Sequence, residues 1–129
     1  MRPVVKSEKS VPMAPVERAV NAYMQWLIDR RDGAPNFELR KFTISPKGLI
    51  PPHMHPDIEH IQYVLKGSYR VRLGDREVAV KEGDALLIPA GTVHSYMNDG
   101  DTDAEFLCII PRRGEYKTFW VEEKQPNRC

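Results

Sequence analysis

The sequence predicts a small all-β protein, a barrel or sandwich of short strands. From about Val20 onward, short apolar runs alternate with Gly, Pro and Asp residues, a spacing typical of strands joined by tight turns. The chain has 129 residues, which suits one domain with a continuous core. We therefore expect an N-terminal arm over residues 1–15, which contain three prolines, and a single barrel domain over residues 16–129.

The first element of the barrel has two possible interpretations. The segment 16–31 carries apolar residues at positions that would also fit one face of a helix. A strand is favoured, because Met24, Trp26 and Ile28 alternate with polar residues, and Asp32-Gly33 then marks a turn. A partner strand is expected over residues 37–44.

The remaining strands follow from the same alternation of apolar and polar residues. Gly74-Asp75 and Glu82-Gly83-Asp84 supply tight turns between them. These strands are expected near residues 59–66, 68–73, 76–80, 85–88, 93–98, 104–110 and 117–121.

The charge balance argues against several classes of partner. Lysine and arginine total 19 against 18 aspartates and glutamates, so no net field attracts the protein to nucleic acid or to an anionic membrane. No stretch reaches the length of a membrane span, and the polar segment 1–10 gives no sign of a secretion signal. We expect a cytoplasmic protein with a small-molecule partner. A disulfide framework is not expected, since Cys108 and Cys129 are the only cysteines.

The four histidines are the strongest functional signal in the chain. A lone histidine in a strand is usually a hydrogen-bonded core or surface residue, but His53, His55 and His60 fall within eight positions, with His94 as the fourth. Side chains two apart on an extended strand share a face, so strands curled into a barrel can direct all four imidazoles into one interior. Neutral imidazole is a ligand for divalent metals such as Mn, Fe, Ni or Zn.

Two segments resemble the paired motifs of the cupin superfamily. GLIPPHMHPDIEHIQYVLKG at residues 48–67 is similar to the first motif, and GDALLIPAGTVHSYMN at residues 83–98 matches the second at its defining positions, with fifteen residues between them. The resemblance implies a double-stranded β-helix, or jelly-roll, cupin barrel of the small single-domain type. It also implies one divalent metal ion on His53, His55, His60 and His94, and a homodimer.

One position departs from the family pattern. The first motif usually has glutamate where this chain has His60, and the adjacent Glu59 is an alternative ligand. His60 is favoured because six residues separate it from Gly67, as in the family pattern. Glu59 would face the opposite side of the same strand.

A four-histidine set has a chemical consequence. Four neutral imidazoles leave the double positive charge of the metal uncompensated, so the site should favour an anionic ligand. An octahedral metal would keep two open positions, which suits a carboxylate or another oxygen donor. We therefore expect a metal-dependent enzyme of the dioxygenase, isomerase or lyase type, acting on a small anionic or oxygenated metabolite.

Residues that contact the substrate are harder to predict. Gln62 and Tyr96 share the inward faces of the histidine strands, and Arg40 would reach an anion if its face turns inward. Asn98 is interpreted as structural. Two other functions stay open: a non-catalytic module that binds a metabolite or metal, and a barrel with a purely structural zinc ion.

Overall fold

The computed structural model describes residues 2–121, so Cys129 and the end of the predicted domain lie outside the described part. Two 3-10 helices cover Glu8–Ser10 and Arg30–Asp32. The strands are β1 (Ala14–Pro15), β2 (Val20–Ile28), β3 (Phe37–Met54), β4 (His60–Lys66), β5 (Ser68–Leu73), β6 (Arg76–Lys81), β7 (Ala85–Ile88), β8 (His94–Met97), β9 (Ala104–Pro111) and β10 (Phe119–Trp120).

The strands form one antiparallel sheet that curls into a jelly-roll barrel. Its order is β6-β5-β8-β3-β9-β4-β7, with β2 and β10 paired to β3, and β1 paired to β2. This confirms the predicted all-β jelly-roll barrel. Neither helix within residues 2–121 is long and apolar enough to cross a membrane.

Most strand predictions are confirmed to within a few residues. Most of the ambiguous segment 16–31 forms the strand β2, Val20–Ile28, and only its last two residues belong to a 3-10 helix. The predicted strands 68–73 and 85–88 have the observed bounds, and Gly74-Asp75 forms the turn between β5 and β6. The last predicted strand, 117–121, is shorter, because only Phe119 and Trp120 pair with β3.

The partner strand predicted over 37–44 is wrong in length, since β3 continues to Met54. Pro46, Gly48 and Pro51-Pro52 look like strand breakers in the sequence. The strand accommodates them by changing partners: it pairs with β9 up to Ile44, and with β8 from Leu49. This extension carries the first metal-ligand candidates to the barrel interior.

The N-terminal arm lies against the barrel. Gln25 Nε2 on β2 donates to two backbone carbonyls of the arm, at Glu8 and Val11. Lys41 on β3 pairs with Glu8, and Lys6 pairs with Asp32 at 2.9 Å. The arm therefore packs on its own barrel through polar contacts.

One end of the barrel interior, the lower end, is an apolar core. Ile44, Val64, Tyr69 and Phe106 are almost fully buried, and Phe106 stacks on Phe42 with ring centroids 5.0 Å apart. Burial of these side chains provides the main stabilising free energy of the fold. The upper part of the interior is polar and contains the histidines.

Asn98 is structural, as the sequence analysis expected. Its side-chain amide donates to the carbonyls of Ile44 and Thr102 at 2.7 and 2.8 Å, and its Oδ1 accepts from the Gly100 N–H at 2.9 Å. The side chain thus ties β3 to the turn that precedes β9.

Candidate metal centre

The four histidines meet in the upper interior. His53 is on β3, His55 directly follows it, His60 opens β4 and His94 opens β8. The ring centroid of His53 lies 5.2 Å from that of His55 and 4.2 Å from that of His94. The ring of His60 lies 4.9 Å from that of His55 and 5.2 Å from that of His94.

Three of the histidines are close enough together to bind one metal ion. Ligating atoms of His53, His55 and His94 all lie within 4.8 Å of one another. The group so defined does not include His60, whose ring stands beside it. The structure therefore supports a three-histidine centre, with His60 adjacent as the fourth candidate.

Hydrogen bonds orient the imidazoles of this set. Nδ1 of His53 is 2.8 Å from the Pro51 carbonyl oxygen, Nδ1 of His55 is 3.0 Å from that of Lys117, and Nδ1 of His94 is 2.8 Å from that of Thr92. A carbonyl only accepts, so each Nδ1 carries the hydrogen and each Nε2 keeps a free lone pair. Outer contacts of this kind orient histidine ligands in metal sites.

One orphaned atom indicates that a group is expected in the site. His94 Nε2 is buried and has no hydrogen-bond partner among residues 2–121. Leaving a buried polar nitrogen unpaired costs free energy. A metal ion bound to Nε2 would remove that cost, so the donor set fits a divalent metal.

Burial keeps the imidazoles neutral. It lowers the pKa of His53 to about 4, that of His94 to about 3 and that of His60 to about 2, and it also lowers the pKa of His55. The neighbouring Arg40 guanidinium lowers these pKa values further. Neutral imidazole is the form that binds metal.

The strand geometry separates the two alternatives for the fourth position. On β4, His60, Gln62 and Val64 are buried, whereas Ile61 and Tyr63 are exposed. Glu59 precedes this strand and is exposed. The side chain that reaches the histidine cluster is therefore that of His60.

The histidines form one wall of a cavity of about 330 Å³. Glu17 from the N-terminal segment and Thr118 near the C-terminus also line it. The apolar walls come from Pro15, Val16, Met24, Phe42, Ile50 and Trp120. A cavity of this size that combines apolar walls with converging polar groups is typical of a small-molecule site.

All three predicted substrate contacts, Arg40, Gln62 and Tyr96, line this cavity. The Arg40 guanidinium carbon lies 5.5 Å from the ring centroid of Trp26 and 5.0 Å from that of Phe42. Arg40 Nε is buried without a hydrogen-bond partner among residues 2–121. An arginine held between aromatic rings, with a free donor, is suited to binding an anion.

Gln62 and Tyr96 form a hydrogen-bonded pair. Gln62 Nε2 donates to the Tyr96 hydroxyl oxygen at 2.8 Å, so the tyrosine O–H is free to donate elsewhere. Gln62 Oε1 is buried and has no partner in the described part of the chain. Burial raises the pKa of Tyr96 above its ordinary value, so its hydroxyl stays protonated.

Trp120 and Cys108 contact the site, although the sequence alone did not assign them to it. The ring of Trp120 lies 5.1 Å from that of His53, although its strand is only two residues long. Cys108 is fully buried, and its sulfur lies 3.2 Å from Arg40 Nη2. Alternation along β9 was the available signal for Cys108, because it shares a face with the core residues Phe106 and Ile110.

Known proteins share this fold. Residues 40–110 match the family described as Cupin_2, the cupin domain. The polyketide cyclase RemF from Streptomyces resistomycificus superposes with a TM-score of 0.80 and is 34% identical, over 95% of this chain and 88% of that one. The chain belongs to the cupin family.

Curated relatives match over shorter stretches. Protein SchB of Streptomyces halstedii is 34% identical over 90 residues, which is 65% of this chain and 65% of that protein. The oxalate-binding protein of Thermotoga maritima is 31% identical over 70 residues, which is 54% of this chain and 58% of that protein. The chain thus spans less than two thirds of the length of either relative.

Proposed function

We propose that the protein is a metal-dependent enzyme that binds one divalent metal ion on His53, His55, His60 and His94. The substrate would be an anionic metabolite held between the metal and Arg40. The observation that carries the proposal is the convergence of four neutral imidazoles beside a half-buried arginine, Arg40, whose buried Nε has no hydrogen-bond partner among residues 2–121. The reaction class stays as expected from the sequence, a dioxygenase, isomerase or lyase.

The charge of the loaded site supports an anionic substrate. Four neutral imidazoles leave two positive charges on the metal, and Arg40 adds a third. Glu17 is the acidic side chain among the cavity-lining residues, and it is exposed at the N-terminal side. Buried charges are stable when paired, and a carboxylate that contacts both the metal and Arg40 would provide the pairing.

The cavity supports a substrate with an apolar body. A volume of about 330 Å³ lies at the small end of the range of small-molecule pockets, about 300–1,000 Å³. Met24, Phe42, Ile50 and Trp120 would contact the carbon skeleton. The relatives agree in part: one is named as a polyketide cyclase and another as an oxalate-binding protein.

The residues of the chain would divide the chemistry among them. A bound metal would act as a Lewis acid that polarises a substrate oxygen. Arg40 would bind and orient the anionic group, and Tyr96 would donate its free hydroxyl hydrogen to a second substrate oxygen. Gln62 would hold the Tyr96 oxygen in place through its 2.8 Å hydrogen bond. The apolar walls would exclude water from the reacting atoms.

The Arg40→Met variant tests the anion site. It keeps an apolar stem between Trp26 and Phe42 but removes the charge. We expect cobalt(II) affinity to stay close to wild type and formate affinity of the cobalt-loaded protein to fall about tenfold or more, as for a lost charged hydrogen bond. Unchanged formate binding would contradict the anion site. Turnover of carboxylates and hydroxy acids by the loaded protein then separates an enzyme from a non-catalytic binding module.

The homodimer is a second part of the proposal. Cross-strand pairs on the outer face form an apolar row from the exposed Leu87 through Ile61 and Ile109 to the half-buried Leu39. Ile61 is 52% exposed and Leu87 is 59% exposed. A second copy would cover this row, because burying apolar area favours association.

Sedimentation velocity at micromolar concentration tests the dimer. Wild type should sediment as two chains and Ile61→Lys as one, whereas Met97→Lys, an exposed apolar residue on β8, should leave the dimer intact. A monomeric wild type would contradict the proposal.

The proposed location is cytoplasmic, a reducing compartment that suits the free thiol of Cys108.

A further inference from the structure

Three side-chain nitrogen atoms of the site converge on one sulfur atom. Cys108 Sγ lies 3.2 Å from Arg40 Nη2, 3.5 Å from Gln62 Nε2 and 3.7 Å from His60 Nδ1. Cys108 is fully buried at the centre of β9. The strand register places it directly opposite Arg40 on β3 and opposite Gln62 on β4. The thiol is thus the middle of a polar layer across three strands.

The direction of each hydrogen bond follows from the donors. The guanidinium of Arg40 only donates, so the sulfur accepts from it. If His60 binds metal through Nε2, its Nδ1 carries the hydrogen and also donates to the sulfur. In the other three imidazoles, Nδ1 donates to a backbone carbonyl. For His60 the acceptor is the sulfur of a cysteine side chain.

We propose that Cys108 is a positioning residue for both halves of the site. Its sulfur holds the His60 ring with Nε2 turned toward the other imidazoles, and it holds the Arg40 guanidinium at the cavity wall. The inference rests on the proposed four-histidine centre and goes beyond it. One buried thiol then couples metal affinity to anion affinity, although it contacts neither the metal nor the anion.

Substitution of Cys108 separates this role from simple packing. Cys108→Ala removes the acceptor, and Cys108→Ser keeps a smaller one. Val64→Ala is the matched control, because it removes a comparably small buried side chain from the next layer down the same barrel. The readouts are cobalt(II) affinity by calorimetry, the visible spectrum of bound cobalt, and formate affinity of the cobalt-loaded protein.

The expected pattern is specific to Cys108. Cys108→Ala should weaken cobalt binding about tenfold, as the loss of an outer hydrogen-bond partner does in metal sites, should alter the cobalt spectrum and should weaken formate binding. Cys108→Ser should recover part of each loss, and Val64→Ala should change none of the three readouts. Cys108→Ala behaving like Val64→Ala would overturn the proposal. If Cys108→Ala does not fold, Cys108→Val provides the same comparison with the volume filled.

A double-substitution cycle distinguishes this proposal from the proposed function itself. In a His60→Gln background, Cys108→Ala should no longer affect cobalt affinity, since the ring it holds is absent. An effect of undiminished size would overturn the positioning role while leaving the metal centre in place. If His60→Gln alone leaves cobalt affinity unchanged, the four-histidine centre itself is wrong.

Discussion

His60 and Glu59 are neighbours in the chain, but their side chains meet opposite environments. The imidazole of His60 is buried among the other histidines, and the carboxylate of Glu59 is exposed. Because alternate residues of a strand face opposite ways, the first motif can place only one of them inside. The histidine is the one that faces the other three imidazoles.

We predict that His60→Gln weakens divalent metal binding at least tenfold. The variant loses a direct ligand, and the loss of an outer hydrogen-bond partner alone lowers metal affinity about tenfold. Glu59→Gln should leave it unchanged within about twofold, within the usual range for an exposed side chain. Calorimetric titration with cobalt(II) measures both. The reverse ranking would assign the ligand to Glu59.

For individual residues, the sequence predicts which side chains line the site. It predicts less well which contacts orient those side chains. The histidines, Gln62 and Tyr96 follow from motif spacing and strand alternation, and all of them line the cavity. Alternation places Cys108 on the inward face of β9, but the roles of Cys108 and Trp120 do not follow from the sequence, because they depend on which strands pair. Cys108 faces Arg40 and Gln62 because β9 pairs with β3 on one side and with β4 on the other.

Strand β3 is the element that builds the site. It contributes Arg40 from its first half and His53 from its end, and it pairs successively with β9 and β8. Alternation predicts its first half, but Pro46 and Pro51-Pro52 suggest that the strand ends. Its continuation depends on the register shift between Ile50 and His53 and on neighbouring strands, which a local sequence pattern does not contain.

Gly48 allows β3 to pass through this crowded region. A Cβ at this position would lie 2.6 Å from the Asn21 carbonyl oxygen, 2.7 Å from that of Ser45 and 2.8 Å from Ile44 Cγ2. We predict that Gly48→Ala lowers the free energy of unfolding by about 1–3 kcal/mol, the usual cost of overpacking. Urea denaturation measures this loss.

Gly114→Ala is the control for that prediction, since a Cβ there meets no atom within 4 Å. It should change the free energy of unfolding by less than about 0.5 kcal/mol. Equal losses for the two variants would show that close contact at Gly48 is not the cause.

At the scale of the whole molecule, the barrel encloses an apolar lower core and a polar upper interior. The apolar core stabilises the fold. The four imidazoles lie above this core, and burial strongly disfavours their charged forms. The free energy of the fold is therefore coupled to pH.

The metal-free barrel should lose stability in acid. An unfolded histidine binds a proton near pH 6.5, whereas folded His53 does so only near its pKa of about 4. Between these values the unfolded state binds more protons, so the free energy of unfolding falls as pH falls. Urea midpoints at pH 7.5, 6.5, 5.5 and 4.5 should therefore remain level down to about pH 6.5 and then decline. A flat profile would mean that the imidazoles are exposed to solvent.

The number of imidazoles on the metal tests the account most directly. X-ray absorption fine structure of the cobalt(II)-loaded full chain resolves nitrogen ligands and the imidazole scattering beyond them. We expect four imidazoles on the metal, one for each histidine in the sequence, and three after His60→Gln. Three imidazoles and a carboxylate in the wild-type protein, with no change after His60→Gln, would contradict it.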